Sequence, residues 1–139
     1  MPTTTFPLST TGRNDVVDIT AHVEQAVRKA AVQEGLVTVF VPGSTAGITT
    51  IEYEPGAVAD LKAAVTRLAP DNIAYKHHET SAGEDNGMAH IRASLIGPSL
   101  TIPITQGRLA LGTWQQVVFC DFDTRPRSRQ VVVTVMGEK

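Results

Sequence analysis

The segment 75–90 gathers most of the side chains that could perform acid–base or metal chemistry. Its sequence, YKHHETSAGEDNGMAH, holds three of the four histidines, three acidic residues and Asn86. Imidazoles and carboxylates brought together by a loop can bind a divalent cation or act as general acid and base near neutral pH. The spacing of His77, His78 and His90 matches no standard metal motif, so a solvated polar loop is the alternative interpretation.

A second polar stretch, VPGSTAGITTIEYE at 41–54, interrupts a strand pattern with small and hydroxylated residues. The backbone amides of Gly43, Ser44 and Thr45 can cradle an anion such as phosphate, although a plain turn between strands explains the pattern more simply. Glu52 follows in an otherwise apolar strand. Its carboxylate must be paired, protonated or bound to a cation if it is buried, and needs no explanation if it is exposed.

The stretch TQGRLALGTWQQ at 105–116 is a third candidate. Trp114 is the only tryptophan, and a lone tryptophan is typical of a core or an interface. Gln115 and Gln116 face opposite sides of a strand, so one of them is directed inward if the other meets water. A buried amide needs partners, which makes this strand a candidate site wall or subunit contact.

Charged and reactive groups near the C-terminus have simpler interpretations. Cys120 is predicted to be a small buried hydrophobic residue, because no basic neighbour within its strand lowers its pKa. Arg125, Arg127 and Arg129 alternate along the chain. These three arginines either bind an anion together or keep a hairpin soluble, and the second interpretation is favoured.

Two amphipathic helices are predicted. The apolar spacing at 20–34 lines one helix face, with Asp18 or Thr20 at its start and Gly35 closing its end in a left-handed conformation. A second helix covers 55–69, beginning with proline and stopped by Pro70. Both have polar backs, so each is expected to lie on a sheet with only its apolar stripe buried.

Most of the remaining chain is predicted to form β-strands, because its segments are rich in β-branched residues and bounded by Gly, Pro, Asp and Ser. The predicted strands are 16–19, 36–41, 47–53, 90–96, 99–105, 111–122 and 129–136. Their short connections require antiparallel neighbours, so the C-terminal half is predicted to be a meander. The fold class is therefore α+β, a single domain over 1–139 with an antiparallel or mixed sheet covered on one side by two main helices.

Composition excludes several classes of protein. The chain has 139 residues, of which 42% are hydrophobic and 19% charged, as expected for a globular domain rather than a disordered segment. A formal charge of −2 disfavours nucleic-acid binding. No uncharged stretch reaches the ~20 residues of a membrane span. One cysteine excludes an internal disulfide framework and Cys-rich zinc sites, and together with the absence of a signal-like N-terminus it predicts a cytoplasmic protein.

Four stretches together resemble the YjbQ family, a group regarded as secondary thiamine-phosphate synthases. They are VFVPGSTAGITTIEYEP at 39–55, DNGMAHIRASLIGPSLTIPI at 85–104, GRLALGTWQQ at 107–116 and RQVVVTVMGE at 129–138. The combination of GxLxLGTWQ with an upstream DNxxAHI carries the resemblance, which extends over nearly the whole chain.

The resemblance implies an α+β fold on an antiparallel, β-sandwich-like core and a homotrimer with a polar pocket near the subunit boundary. The polar positions that transfer to this sequence are Thr45, Glu52, His77, Asp85, Asn86, His90, Thr113 and Gln115. Two positions depart from the family pattern, since Gly43 and Ile51 stand where most relatives carry His and Asn. His78 is a candidate substitute for the missing imidazole, and the choice between His77 and His78 stays open.

The activity implied by the resemblance joins a pyrimidine methyl diphosphate to a thiazole phosphate with loss of pyrophosphate. Such a reaction usually uses Mg²⁺ on the diphosphate, and Glu52 and Asp85 are candidate ligands. His77, His78 and His90 would bind the metal or donate protons, the backbone of Ser44 and Thr45 would receive a phosphate, and Lys76 and Arg92 are the basic residues nearby.

Two other functions fit the same residues. One is a trimeric protein that binds a metal or an anion without turnover, because two histidines and a carboxylate suffice for zinc or nickel. The other is a hydrolase in which such a metal activates water. In both, His77, His78 and His90 are the candidate metal ligands.

Overall fold

Two antiparallel β-sheets frame the chain in the computed structural model, which describes residues 3–139. Four helices accompany them: α1 (Thr20–Ala30), α2 (Pro55–Leu68), α3 (Lys76–Thr80) and α4 (Gly87–Ile96). The strands are β1 (Thr3–Thr10), β2 (Asp15–Asp18), β3 (Glu34–Phe40), β4 (Ala46–Ile51), β5 (Ser99–Thr105), β6 (Arg108–Leu109), β7 (Gln116–Asp121) and β8 (Arg127–Glu138). The α+β class predicted from the sequence is confirmed.

The strands divide between a large sheet, ordered β1-β8-β3-β5-β6, and a small sheet, ordered β2-β7-β4. The predicted C-terminal meander is wrong, because β7 lies in the small sheet while β8 returns to the large sheet between β1 and β3. An apolar strand pattern shows that a segment pairs with others but not which sheet it joins. The long strand β8 therefore ties the N-terminal strand to β3, with Thr3 opposite Thr134 and Glu34 opposite Glu138.

A first core fills the space between the two sheets. Residues from the inner face of the large sheet, such as Val39 and Ile102, cluster with Ile48 and Phe119 of the small sheet and with Val23 of α1. The side chains on the outer face of the large sheet alternate with these. This outer face, on which Leu36 lies opposite Met136 and both are exposed, remains uncovered within the part of the chain described.

A second core lies on the opposite side of the small sheet. Val65 of α2 and Ala89 and Ala93 of α4 cluster there with Val118 and Cys120 of β7. The expectation that the helices cover one side of a sheet is therefore wrong in this respect, since α1 packs with the first core and α2 and α4 with the second. The small sheet is the middle layer, and β7 is buried along most of its length.

Segment 90–96, predicted as a strand, is the C-terminal part of α4. The sequence HIRASLI alternates polar and apolar residues, as a half-buried strand does, and this local pattern misled the prediction. The buried positions Ala89, Arg92 and Ala93 recur with helical spacing because α4 lies against the small sheet. Strand β1, rich in threonine, and the five-residue α3 were not predicted.

The predicted end of the first helix is also corrected. Helix α1 stops at Ala30, and Ala31 takes the left-handed conformation with φ 56°. Gly35 lies instead within β3 opposite Gly137, where an added Cβ would come within 2.7 Å of the Gly137 Cα. Gly35 therefore permits a close approach of two strands.

The start of α2 agrees with its prediction and has a side-chain cap. The carboxylate of Glu54 accepts hydrogen bonds from the backbone N–H groups of Gly56 and Ala57, both 2.8 Å long. These bonds lower the pKa of Glu54 below its ordinary value. Across residues 3–139, the structure has no helix with both the length and the apolar character needed to cross a membrane.

Candidate functional site

Helices α3 and α4 bring two histidines into contact. His77 lies in α3 and His90 in the first turn of α4, and their rings meet edge-on with centroids 4.5 Å apart and an interplanar angle of 66°. His78 has a different environment, since its Nε2 accepts a 2.9 Å hydrogen bond from the backbone N–H of Gly87 at the start of α4. His78 therefore fastens α3 to α4, while His77 and His90 face each other.

Tyr75 closes one side of this arrangement. Its ring centroid lies 5.6 Å from that of His78, and its hydroxyl donates a 2.5 Å hydrogen bond to the Pro70 carbonyl. Burial raises the pKa of Tyr75 above its ordinary value. The tyrosine is thus a neutral hydrogen-bond donor that anchors the segment between α2 and α3.

Two buried polar atoms beside these helices lack hydrogen-bond partners within residues 3–139. They are His77 Nε2 and Asn86 Oδ1. An unpaired buried polar atom costs roughly 1–3 kcal/mol, which is why such atoms mark places where a ligand or a water molecule supplies the missing partner. The predicted histidine site therefore contains one imidazole nitrogen and one amide oxygen that are available to a bound molecule.

A buried ionic network, which the sequence analysis did not identify, adjoins Asn86. Asp121 is fully buried, and its carboxylate receives Nε and Nη2 of Arg129 at 2.8 and 2.9 Å. Thr10 donates its hydroxyl to the same carboxylate over 2.5 Å. This side-on pairing of guanidinium and carboxylate has strong, well-directed hydrogen bonds.

Asp123 forms the second half of the network. Its carboxylate accepts hydrogen bonds from Asn86 Nδ2 at 3.3 Å, Thr45 Oγ1 at 3.1 Å and Arg127 Nη1 at 2.6 Å. Burial alone would raise the pKa of Asp123, but the backbone N–H of Thr124, the Asn86 and Thr45 bonds and the Arg127 charge together lower it. Asp123 is therefore held as a carboxylate next to the histidine segment.

The interpretation of the C-terminal arginines as solubilising residues is wrong for Arg127 and Arg129. Arg129 is 5% exposed and Arg127 pairs with the buried Asp123, whereas Arg125 is exposed and lies 3.9 Å from Asp85. The sequence did contain a signal for this pairing. Asp121 and Asp123 are two positions apart, and so are Arg127 and Arg129. Such spacing places each pair on one side of its strand.

The turn at 43–45 meets the same network. Thr45 is buried, and its hydroxyl accepts a 2.8 Å hydrogen bond from Arg129 Nη2 while it donates to Asp123. Gly43 and Ser44 are exposed. The structure thus brings Thr45 and Asn86 together through Asp123.

Glu52 lies at the other end of the small sheet. Ala46 pairs with Asp121 and Ile51 with Gln116, so β4 separates the two ends by about 16 Å at 3.3 Å per residue. Glu52 is exposed and has no side-chain hydrogen bond or ion pair within residues 3–139. The structure does not bring this carboxylate to the network around Asp123.

Thr113 and Gln115 belong to a loop at this second end. Thr113 is exposed, and Gln115 donates to Thr50 Oγ1 and accepts from the Gly112 N–H, both at 3.0 Å. The loop borders a groove of about 340 Å³ between β4 and β5. Trp114 is 71% exposed, so the core alternative of its prediction is wrong and the interface alternative remains.

Asp85 and Arg92 lie at the edge of the site and already have partners. Asp85 is exposed and accepts a 3.0 Å hydrogen bond from Thr124 Oγ1. Arg92 is buried and donates to the Ala69 carbonyl, to Asn14 and to Asp71. These contacts tie α4 to the end of α2, and they occupy the donors of Arg92, one of the two basic residues named beside the histidines.

The donor set does not form a metal centre by itself. Within the described chain, no group of three or more His, Cys, Asp or Glu side chains is arranged to hold a metal ion. His77 and His90 are adjacent, but His78 already uses Nε2 to accept from Gly87. For the predicted Mg²⁺ or Zn²⁺, the described chain therefore supplies two neighbouring imidazole ligands and no third ligand beside them.

These features define a small α+β protein with a histidine-containing polar site supported by a buried Asp–Arg network. The chain matches the family described as "UPF0047 protein YjbQ-like" over residues 4–138, and it belongs to that family. The resemblance inferred from the sequence motifs is therefore confirmed.

Relatives and solved structures agree with this assignment. The chain is 37% identical over 129 residues to a UPF0047 protein of Archaeoglobus fulgidus, which covers 93% of this chain and 97% of that protein. It superposes on the hypothetical protein APE1520 of Aeropyrum pernix with a TM-score of 0.91 and 34% identity, covering 99% and 100% of the two chains. A protein of unknown function from Sulfolobus solfataricus, SSO2532, gives a TM-score of 0.88 at 29% identity with 99% of both chains covered.

Proposed function

We propose that this protein binds a small phosphorylated molecule beside His77, His90 and Asn86 and acts on it by proton transfer. The observation that carries the proposal is the buried, unpaired Nε2 of His77 in a ring that contacts His90. An imidazole nitrogen without a protein partner can exchange a proton with a bound molecule, and imidazole is the side chain best suited to that role near neutral pH. The unpaired Asn86 oxygen would accept from a ligand hydroxyl or amine.

The surrounding network supports a role for these groups in orientation. Asn86 is held by Asp123, and the segment before α4 is fastened through His78 to the Gly87 N–H. A side chain fixed by such contacts loses little conformational entropy when a ligand binds. Asn86 would therefore meet a bound molecule in a defined geometry.

Thiamine-phosphate formation is the specific reaction proposed, following the resemblance. The thiazole nitrogen would form a C–N bond with the pyrimidine methylene carbon while the C–O bond to diphosphate breaks and its electron pair leaves with the diphosphate. A protonated imidazole would donate its proton to that departing oxygen. General acid catalysis of this kind typically contributes about 10²–10⁴-fold.

The test is synthesis of thiamine phosphate from the two precursors with Mg²⁺ present. His77→Gln and His90→Gln are expected to lower kcat by at least about 10²-fold. His22→Gln is the matched control, because His22 is an exposed histidine of α1 that stacks on Phe6, with ring centroids 4.3 Å apart. No product with the wild-type protein, or equal rates in all three variants, would reject the proposed reaction.

A bound metal is a separate part of the proposal. His77 and His90 would supply two imidazole ligands, and any further ligand would have to come from solvent or a bound molecule, because the described chain places no third one beside them. Elemental analysis of protein purified without an affinity tag measures this directly. Stoichiometric zinc that disappears in His77→Gln would support the metal-binding alternative, and its absence would count against it.

We also propose a homotrimer, as the resemblance implies. The outer face of the large sheet supports self-association, since exposed Leu36 lies opposite exposed Met136, and exposed Phe40 lies opposite Val132. Exposed apolar neighbours of this kind are typical of subunit interfaces. Light scattering should give a particle of three chains, and a monomeric mass would remove the trimer from the proposal.

A further inference from the structure

One nitrogen of the Arg129 guanidinium takes no part in the buried network. Nε and Nη2 face Asp121, and Nη2 also donates to Thr45. Nη1 lies at the other edge of the guanidinium and makes no hydrogen bond to any group in residues 3–139. Arg129 is 5% exposed and held by Asp121, and Nη1 is not among the fully buried, unpaired polar atoms of the described chain, so a fixed cation keeps this nitrogen partly accessible.

A side chain at position 43 would lie next to Nη1, but the residue there is Gly43. A Cβ added to Gly43 would lie 3.1 Å from Arg129 Nη1, and the next atom, Val41 Cγ2, would be 3.9 Å away. Gly43 and its neighbour Ser44 are exposed, so this position opens to the surface. The missing side chain of Gly43 therefore leaves the guanidinium nitrogen accessible to a small group.

The turn supplies further donors at the same place. In the described chain, the backbone N–H groups of Gly43 and Ser44 donate no hydrogen bond, and the Ser44 hydroxyl makes none. Successive free backbone N–H groups in a turn form a concavity that suits an anion. These donors belong to Gly43, whose added Cβ would lie 3.1 Å from Nη1, and to the residue that follows it.

Both neighbouring acids are paired with arginines, so their charges are balanced there. Asp121 is neutralised by Arg129 itself, and Asp123 accepts from Arg127, Asn86 and Thr45. Arg127 adds positive charge on the same side of β8, and its side chain is 44% exposed. An incoming anion thus meets hydrogen-bond donors rather than unpaired carboxylate oxygens.

We propose that Gly43, Ser44 and Arg129 form a phosphate subsite that holds a phosphoryl group of a small ligand. A tetrahedral oxyanion offers enough oxygens to engage Nη1, the two backbone N–H groups and the Ser44 hydroxyl, whereas a carboxylate offers two oxygens. Guanidinium groups bind phosphate with strong charge-assisted hydrogen bonds. The choice of a phosphorylated ligand rests on the proposed function, and the subsite itself rests on the geometry of these three residues.

The experiment uses inorganic phosphate as the probe, with acetate and chloride at the same ionic strength for comparison. Titration calorimetry and thermal unfolding of the wild-type chain should show saturable binding of phosphate and a rise in Tm that acetate and chloride do not produce. Pyrophosphate in a parallel titration shows whether a diphosphate binds more tightly than a monophosphate. Equal responses to phosphate, acetate and chloride would overturn the subsite.

Two variants of Gly43 locate the binding. Gly43→Asp places a carboxylate beside Nη1 and should abolish the phosphate response, whereas Gly43→Asn has the same size without the charge and should weaken binding about tenfold. Gly43 has no left-handed backbone conformation, so neither variant strains the backbone of the turn, although the new Cβ, 3.1 Å from Nη1, requires a small shift there; circular dichroism checks the fold of both variants. Ser44→Ala should weaken binding by a smaller factor.

The control is Arg108→Ala, which removes an exposed arginine of β6 that forms no ion pair within residues 3–139. It should bind phosphate as the wild type does. Wild-type affinity in Gly43→Asp would overturn the subsite even if the histidine variants lose turnover. Conversely, the phosphate titration of the wild-type chain requires no turnover, so the subsite stands if the proposed reaction fails.

Discussion

Asn86 donates its side-chain amide to the carboxylate of Asp123 over 3.3 Å, and this bond joins the histidine segment to the buried Asp–Arg network. Because the amide nitrogen faces the carboxylate, the amide oxygen points elsewhere, and it remains buried without a partner in the described chain. Asp123 therefore connects the two parts of the site, although the sequence analysis did not name it.

The Asp121–Arg129 pair is expected to contribute strongly to stability. Arg129→Ala would leave the fully buried Asp121 carboxylate without its guanidinium partner, which typically costs about 3–5 kcal/mol. Urea unfolding monitored by circular dichroism measures the free energy of unfolding. Arg125→Ala is the control, because its exposed contact with Asp85 is long and should contribute less than about 0.5 kcal/mol. Similar losses in both variants would contradict a buried ion pair.

Protonation of Asp123 in acid should lower the free energy of unfolding. Its pKa in the folded protein lies below the ordinary value of 3.8, so the stabilisation is present above that value and is lost as the pH falls through the folded pKa. Asp123→Asn should be less stable at neutral pH and should show a smaller further loss in acid. Thermal unfolding measured from neutral pH to below pH 3.8 tests the expectation. The control is Asp60→Asn, which changes an exposed carboxylate. An unchanged acid slope in Asp123→Asn would refute it.

Gly87 is expected to tolerate no side chain. An added Cβ would lie 2.6 Å from the Cβ and Cγ of Tyr75 and 3.1 Å from His78 Nε2. Gly87→Ala must therefore displace α3 from α4, at a cost of about 1–3 kcal/mol. Gly112→Ala is the matched control, since its nearest contact would be an ordinary 3.7 Å. Thermal unfolding compares the two, and equal Tm values would mean that α3 and α4 are not held together at Gly87.

Cys120 is expected to resist thiol reagents in the native protein. It is fully buried in β7, and burial, with smaller contributions from the Asp121 and Asp15 charges, raises its pKa to about 12. A chromogenic disulfide at mildly alkaline pH should label no cysteine in buffer and one in strong denaturant. Rapid labelling of the native chain would show that β7 opens or that this cysteine is not buried.

The sequence analysis located the elements whose information is local. The apolar spacing of α1 and the proline at the start of α2 predicted both helices, because a helix aligns residues three and four apart on one face. The same reasoning misassigned the C-terminal part of α4, because its polar and apolar residues alternate as in a half-buried strand and the polar Arg92 is buried.

For the site, the sequence identified the histidine segment and the turn at 43–45 by residue type, and its motifs indicated the family that the family model confirms. Only the tertiary structure showed that Thr45 meets Asp123 and Arg129, that Thr10 meets Asp121, and that Glu52 lies at the other end of β4. These contacts join residues that are as many as 111 positions apart. They depend on which strands pair and in what register, and a change of one residue in register would turn each of these side chains to the opposite face.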